Sequence, residues 1–134
     1  MQHLTEVEVD SMLDHARSVA ASLSVAVNIA IMDNGANLLS FYRMDGAIIG
    51  SIDIALRKAK TAVYFPIPTD MLGKMVREEG LESLESSNGG LILFAGGEPL
   101  RRNGCLIGGI GVSGATAAQD QLIACAVVDL INGR

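Results

Sequence analysis

The segment that most constrains the fold is a run of small and aliphatic residues near the C-terminus, GCLIGGIGVSG over 104–114. Its apolar composition predicts a buried strand over 105–112, and three glycines in that strand leave room for something to approach closely. The spacing of Gly109, Gly111 and Gly114 matches a dinucleotide-binding fingerprint, but the sequence shows no βαβ unit after it. We therefore interpret the segment as a strand and a turn with tight packing of a helix on the sheet.

Hydrophobic periodicity and turn signals predict the order of the other elements. These elements are a helix over 5–22, strands over 24–32 and 37–42, helices over 47–64 and 69–77, strands over 91–94 and 105–112, and a helix over 117–131. The residues over 95–99 and 101–104 predict turns. Because strands joined by short turns pair in antiparallel fashion, we predict an α+β fold with helices packed on an antiparallel sheet.

The size and charge of the chain exclude several classes of protein. Its 134 residues predict a single domain over 1–134. The net charge is −5 and the basic residues are scattered, which argues against nucleic acid as a partner. No apolar stretch approaches the ~20 residues that span a bilayer, so we expect no membrane partner. The N-terminal residues lack a leader pattern, and we expect a cytoplasmic protein.

The composition also predicts self-association. Only 19% of the residues are charged and 49% are hydrophobic, so a small domain of this composition has little polar surface to cover it. We therefore expect a homo-oligomer. Two cysteines, Cys105 and Cys125, lack CxxC spacing, and we expect both to be reduced residues of the core.

Polar residues between the second predicted strand and the second predicted helix indicate a ligand site. Arg43 is suited to hold a carboxylate through two hydrogen bonds, and Asp45 could cap the helix or orient Arg43. The alternative is an Arg–Asp pair that only fixes the turn. Lys58 is either part of such a site or a solvated helix residue. Ser113 is either a hydrogen-bond donor to a bound carboxylate or a helix cap.

The candidate metal ligand is His15, in the middle of the first predicted helix. An imidazole at this position could be an axial ligand to haem iron. The alternative is an ordinary surface histidine. Cys105, on the glycine-rich predicted strand, is a weaker candidate ligand.

Four segments together resemble the GlcG/HbpS family, which includes the C-terminal domain of PduO-type proteins. They are VNIAIMDNGANLLSFYRMDGA over 27–47, ALRKAKTA over 55–62, GGLILFAGGEPL over 89–100 and IGGIGVSGATAAQDQLIA over 107–124. The resemblance implies a profilin-like fold, in which helices pack on both faces of a central antiparallel sheet, and assembly into homo-oligomers. It also implies an association with haem, with cobalamin-dependent diol and glycerol utilisation, or with other catabolic pathways.

With this resemblance, the residues predict a site and three alternative functions. The predicted ligand-binding residues are Arg43, Asp45, Lys58, Thr61, Gly96, Gly97, Gly111, Ser113, Gly114 and Asp120. The leading hypothesis is a homo-oligomeric protein that binds a small carboxylate-bearing ligand, haem or another tetrapyrrole, and is accessory to a catabolic or cobalamin-dependent diol or glycerol pathway. The second is a lyase or isomerase of a small hydroxy or oxo acid, with Lys58 or Asp45 as acid or base. The third is a structural assembly protein without a ligand.

Overall fold

A computed structural model of the protein describes residues 3–132. The elements are α1 (Glu6–Ser22), β1 (Asn28–Asp33), β2 (Leu38–Arg43), α2 (Gly50–Tyr64), α3 (Thr69–Glu79), a 3-10 helix (Leu84–Ser86), β3 (Gly97–Arg102), β4 (Cys105–Ser113) and α4 (Ala117–Ile131). Residues 1–2 and 133–134 of the predicted domain lie outside the described residues.

The four strands form one sheet in the order β2-β1-β4-β3, and each neighbouring pair is antiparallel. Helices α1 and α4 cover one face, where they pack on aliphatic side chains such as Ile29, Ile31 and Val112. Helix α2 covers the opposite face, where Ala55 and Ala59 pack on β1. The predicted α+β class is therefore confirmed, with helices on both faces of an antiparallel sheet.

Two helices begin at hydroxyl side chains that cap them. Thr5 accepts a hydrogen bond from the backbone N–H of Glu8, and the Glu8 carboxylate accepts one from the Thr5 backbone. Thr116 and Gln119 repeat this arrangement at the start of α4. Each cap satisfies backbone donors that a helix start leaves without intrahelical partners. A hydroxyl residue followed three residues later by Glu predicts a helix start, and the start of α1 confirms this prediction for Thr5 and Glu8.

The prediction of a strand over 91–94 is wrong. This segment pairs with no strand, and its backbone is bonded to side chains instead. The Thr61 hydroxyl accepts a hydrogen bond from the Ile92 backbone N–H at 3.0 Å. The Thr69 hydroxyl donates to the Phe94 carbonyl at 2.6 Å. Two threonines thus satisfy backbone groups that a ladder would otherwise pair. Strand β3 begins at Gly97, inside the segment 95–99 that the sequence predicts as a turn.

The glycines of β4 allow α2 to lie directly on the sheet. A β-carbon on Gly111 would lie 2.1 Å from the carbonyl oxygen of Ala55, and one on Gly109 would lie 2.8 Å from the carbonyl oxygen of Ala59. Real β-carbons do not approach backbone atoms this closely, so only glycine fits at Gly111. The close approach predicted at this strand is therefore made by a helix of the same chain.

The two cysteines do not pair with each other, as expected, but they are not both core residues. Cys125, on α4, is partly buried, whereas Cys105 is exposed at the first residue of β4. The prediction of a core position is wrong for Cys105, because β4 begins next to the exposed turn at Asn103 and Gly104. Between residues 3 and 132, no helix combines the length and apolarity needed to cross a membrane.

Candidate functional site

The structure divides the predicted site residues into an interior group and a surface group. The interior residues are Lys58, Thr61, Gly96, Gly97, Gly111, Ser113 and Asp120. Arg43 and Asp45 are exposed at the end of β2, and Gly114 is partly buried. Lys58, Gly96 and Asp120 come together where β4 ends and α4 begins.

Lys58 is the largest fully buried side chain of the interior group, and its ammonium group has partners within the protein. The Lys58 Nζ donates to the carbonyl oxygen of Val112 at 2.7 Å and to the Asp120 carboxylate at 3.2 Å. It also lies 5.1 Å from the centroid of the Phe94 ring. Burial lowers the pKa of Lys58, and the Asp120 carboxylate opposes that shift. The pair therefore ties α2 to the end of β4 and the first turn of α4.

Gly96 and Gly97 bring the start of β3 against this pair. A β-carbon on Gly96 would lie 2.5 Å from the Lys58 Nζ, and one on Gly97 would lie 2.6 Å from the Lys58 backbone carbonyl. The space beside these glycines is thus occupied by Lys58 itself. The Asp120 carboxylate also accepts a hydrogen bond from the Ala115 backbone N–H at 3.0 Å. Gly96, Gly97 and Gly111 thus pack against Lys58 of this ion pair, whereas Thr61 bonds to the backbone of Ile92.

Arg43, Asn28 and Ser113 form a row across three strands. Asn28 pairs with Arg43 of β2 on one side and with Ser113 of β4 on the other. Residues directly opposite in antiparallel strands present side chains to the same face. That face is the one covered by α2, because the next residue of β1 on it, Ala30, packs against α2. The sheet thus places Arg43 and Ser113 at either side of Asn28.

Asn28 is a buried polar residue that the sequence predictions missed. Its side chain is fully buried, and its Nδ2 donates to the carbonyl oxygen of Ile48 at 3.0 Å. Its Oδ1 has no hydrogen-bond partner within residues 3–132. The signal available in the sequence is a single amide side chain within the apolar run SVAVNIAIM over 24–32. A buried acceptor without a donor is rare in proteins, because leaving it unpaired costs about 1–3 kcal/mol.

His15 lies on α1, on the opposite side of the sheet from α2, and is half-buried. Glu8 precedes it by seven residues, which is two helical turns, so the two share one side of α1. The Glu8 carboxylate pairs with Arg102 at the end of β3. This pair shows that the His15 side of α1 faces the end of β3, and α4 contacts both α1 and β3. The other side faces β2, where Arg17 lies over the ring of Tyr42.

A cleft of about 420 Å³ lies beside Arg102, at the end of the β3–β4 hairpin. It is lined by Arg101, Arg102, Asn103, Gly104, Ile131 and Asn132. The last two residues belong to the end of α4, so the cleft joins the hairpin to α4. Two guanidinium groups give it the chemistry to hold a carboxylate.

A separate acidic group lies between β3, α3 and α4. Glu98 of β3 is only 7% exposed and lies beside the Cys125 thiol of α4. Burial, together with the negative charge of Asp70, raises the pKa of Glu98 to about 7, and the Cys125 thiol opposes part of this shift. Burial, together with the charge of Glu98, raises the pKa of the Cys125 thiol to about 11. At neutral pH the thiol is therefore protonated, and Glu98 is about half protonated.

Glu98 is expected to make folding stability depend on pH. The pKa of Glu98 is raised from 4.5 to about 7, so the folded state binds this proton more tightly than the unfolded state. Protonated Glu98 therefore adds its full contribution to the free energy of unfolding below pH 4.5. This contribution is lost as the pH rises to about 7, at about 1.4 kcal/mol for each pKa unit. We expect Glu98→Gln to flatten this part of the pH profile, measured by urea unfolding. Glu82→Gln, at an exposed carboxylate, should leave the profile unchanged; a Glu98→Gln profile like the wild type would contradict the assignment.

The architecture places the protein among small α+β domains in which a four-stranded antiparallel sheet carries helices on both faces. Within that class, residues 4–129 match the family described as haem degrading protein HbpS-like, and the chain belongs to this HbpS-like family. The resemblance drawn from the four sequence segments is thereby confirmed.

Relatives of known structure or name support the same assignment. The crystal structure of a complex of PduOC with haem superimposes with a TM-score of 0.91 at 34% identity, covering 97% of this chain and 96% of that one. A Citrobacter freundii protein, described as an uncharacterized 15.0 kDa protein in the dhaT-dhaS intergenic region, is 34% identical over 128 residues, covering 94% of this chain and 90% of the relative.

The corrinoid adenosyltransferase PduO of Salmonella typhimurium is also similar, but only over part of its length. It is 37% identical over 115 residues, which cover 84% of this chain and 34% of PduO. The chain thus spans about a third of PduO.

Proposed function

We propose that the protein binds haem, or another tetrapyrrole, on the side of α1 that faces α4, with His15 as an axial ligand to the iron. The observation that carries this proposal is the similarity to PduOC in complex with haem, which extends over 97% of the chain. The family description, a haem degrading protein, points to the same ligand. A histidine nitrogen is a common protein ligand to haem iron.

The surroundings of His15 fit a ligand with an apolar face and acidic edges. Val19, one turn after His15, is a partly buried aliphatic residue on α1, and Val128 is another on α4. Arg102 of β3 pairs with Glu8, which lies on the same side of α1 as His15. Glu8 and His15 are two helical turns apart, or about 10 Å along the helix. The Arg102 guanidinium group would hold a propionate beside Glu8 or in its place. Haem bound there would supply redox and gas-binding chemistry at its iron, while the chain binds and orients it.

Titration with haemin is expected to produce a shifted Soret band that depends on His15. His15→Ala should remove the shifted band or weaken binding by about tenfold or more, which corresponds to about 1.4 kcal/mol. His3→Ala is the matched control, because it removes the other histidine of the chain and should leave the spectrum unchanged. An unshifted Soret band in the wild type, or an unaltered spectrum in His15→Ala, would contradict the proposal.

The proposal includes self-association, which exposed apolar side chains support. Gln121 of α4 donates a hydrogen bond to Asp70 of α3 at 2.9 Å. The residues next to this contact, Met71 and Leu122, are both 52% exposed. Phe94, which contacts Lys58, is also exposed. A second copy of the chain would remove these large side chains from water.

We propose that the protein has an accessory role in a catabolic or corrinoid-dependent pathway. Similarity to a corrinoid adenosyltransferase and to a protein encoded between dhaT and dhaS supports this role. The proposal concerns ligand binding, because Lys58, a candidate acid or base in a lyase or isomerase, is fully buried and already bonded to Asp120.

A further inference from the structure

We infer that the outer edge of β2 pairs with β2 of a second copy of this chain, so that the two four-stranded sheets join into one. In the order β2-β1-β4-β3, β2 and β3 are the edge strands. The self-association proposed above uses α3 and α4, which both contact β3. The inferred interface lies at the opposite edge of the sheet. It therefore rests neither on that surface nor on the binding of haem.

The outer edge of β2 carries exposed apolar side chains. Within residues 3–132, β2 pairs only with β1, so one row of its backbone N–H and C=O groups faces away from the sheet. Leu38, Leu39 and Tyr42 are 53%, 41% and 38% exposed. Proteins commonly protect such an edge with lysine or proline, because an open edge pairs readily with another strand. The strand LLSFYR contains neither residue, and its one charge is that of Arg43 at its end.

The regular part of β2 determines how two copies can pair. Over 40–43 each residue of β2 lies opposite one residue of β1, whereas the register shifts near Leu38. A closed dimer has a two-fold axis, and an axis at Phe41 uses this regular part of the strand. It sets the two Phe41 rings opposite each other on the face that α2 covers. On the other face it sets Ser40 of each copy opposite Tyr42 of the other.

The same axis brings opposite charges of the two α1 helices together. Asp10 of α1 lines a cleft with Leu39 and Ser40 of β2. Arg17, two turns further along α1, lies 4.3 Å from the centroid of the Tyr42 ring. Helix α1 therefore runs alongside β2 in the same direction. Because Ser40 faces Tyr42 of the second copy, Asp10 of each copy comes to lie opposite Arg17 of the other.

The strand spacing and the remaining charge on this side of α1 fit the contact. Paired strands lie ~4.8 Å apart, so two helices that each run beside β2 become neighbours. Asp14 lies between Asp10 and Arg17 on the helix, and its carboxylate is paired with Arg17 of the same copy. A guanidinium group has five N–H donors and can hold two carboxylates. Each Arg17 thus lies between Asp14 of its own copy and Asp10 of the other.

Exchange of these charges tests the interface, with the mass of the full chain in solution measured by light scattering. Asp10→Arg and Arg17→Asp each set like charges opposite each other, so each variant should have about half the mass of the wild-type oligomer. An equimolar mixture of the two variants should recover the wild-type mass. In the mixed pair, one copy carries basic residues at both positions and the other carries acidic residues at both. Recovery in the mixture also shows that neither variant has lost its fold.

Hydrogen exchange tests whether the strands themselves pair. The backbone N–H groups of β2 that face away from β1 should exchange about tenfold or more faster in each single variant than in the wild type. Glu82→Arg, a matched charge change at an exposed residue outside α1 and β2, should alter neither the mass nor the exchange. Haemin titration of the same variants reports the proposed haem site separately, because His15 and Arg17 lie on different sides of α1.

Four results would overturn the interface. They are a monomeric wild type, an unchanged mass in both single variants, a mixture that keeps the lower mass, and a recovered mass without any difference in the exchange of β2. The last result would place α1 at the contact between copies but not β2, and would refute the pairing of strands.

Discussion

Replacement of Gly111 by alanine is expected to destabilise the fold by about 3 kcal/mol or more. The added β-carbon would lie 2.1 Å from the carbonyl oxygen of Ala55 and 2.6 Å from the amide nitrogen of Ala59. Both are backbone atoms of α2, so no side-chain rotation relieves the clash and the helix must move away from the sheet. The free energy of unfolding, measured by urea denaturation, checks this prediction.

Gly50→Ala is the matched control for Gly111→Ala. It adds the same methyl group at a position where a β-carbon meets no atom within 4 Å, and alanine is the better helix former. We therefore expect no loss of stability from Gly50→Ala. Equal unfolding free energies for Gly111→Ala and the wild type would show that α2 does not rest on the glycine positions of β4.

Removal of the Asp120 carboxylate is expected to destabilise the fold by about 3–5 kcal/mol. Lys58 would then be left with a buried charge whose remaining protein acceptor is the carbonyl oxygen of Val112. The cost arises from the uncompensated charge, since a buried ion pair often adds little net stability over apolar residues. Urea denaturation of Asp120→Ala measures this loss.

A double-mutant cycle and an exposed ion pair supply the controls. Lys58→Met combined with Asp120→Ala should cost less than the sum of the two single changes, because neither charge remains. Asp53→Ala breaks the exposed pair with Arg57 and should cost less than about 1 kcal/mol. An Asp120→Ala loss no larger than that of Asp53→Ala would show that the Lys58 charge does not depend on Asp120.

Much of the fold could be predicted from local sequence patterns. The Thr5–Glu8 capping box and the apolar run of β4 each act within a few residues, and each indicates its own element. The strand predicted over 91–94 failed because its backbone bonds go to Thr61 and Thr69, far away in the sequence. Local propensity cannot reveal a partner that only tertiary packing supplies.

The candidate site was harder to predict for the same reason. The sequence predicts both Lys58 and Asp120 as ligand-binding residues, but their contact with each other joins positions 62 residues apart. The sequence does not single out Asn28, because an amide in an apolar run indicates no site until the strands and the helix that pack around it are known. The roles of these residues in binding remain predictions.

The two faces of the sheet pack their helices in different ways, and this difference determines how the residues on each face can change during evolution. Beneath α1 and α4, bulky aliphatic side chains such as Ile29, Ile110 and Val127 fill the interior, and their volumes can be exchanged among neighbours. Beneath α2, backbone atoms meet backbone atoms at Gly109 and Gly111, so there is no volume to exchange. Sequence drift among homologous chains should therefore collect on one side of the sheet, while the other tolerates only concerted replacement of helix and strand.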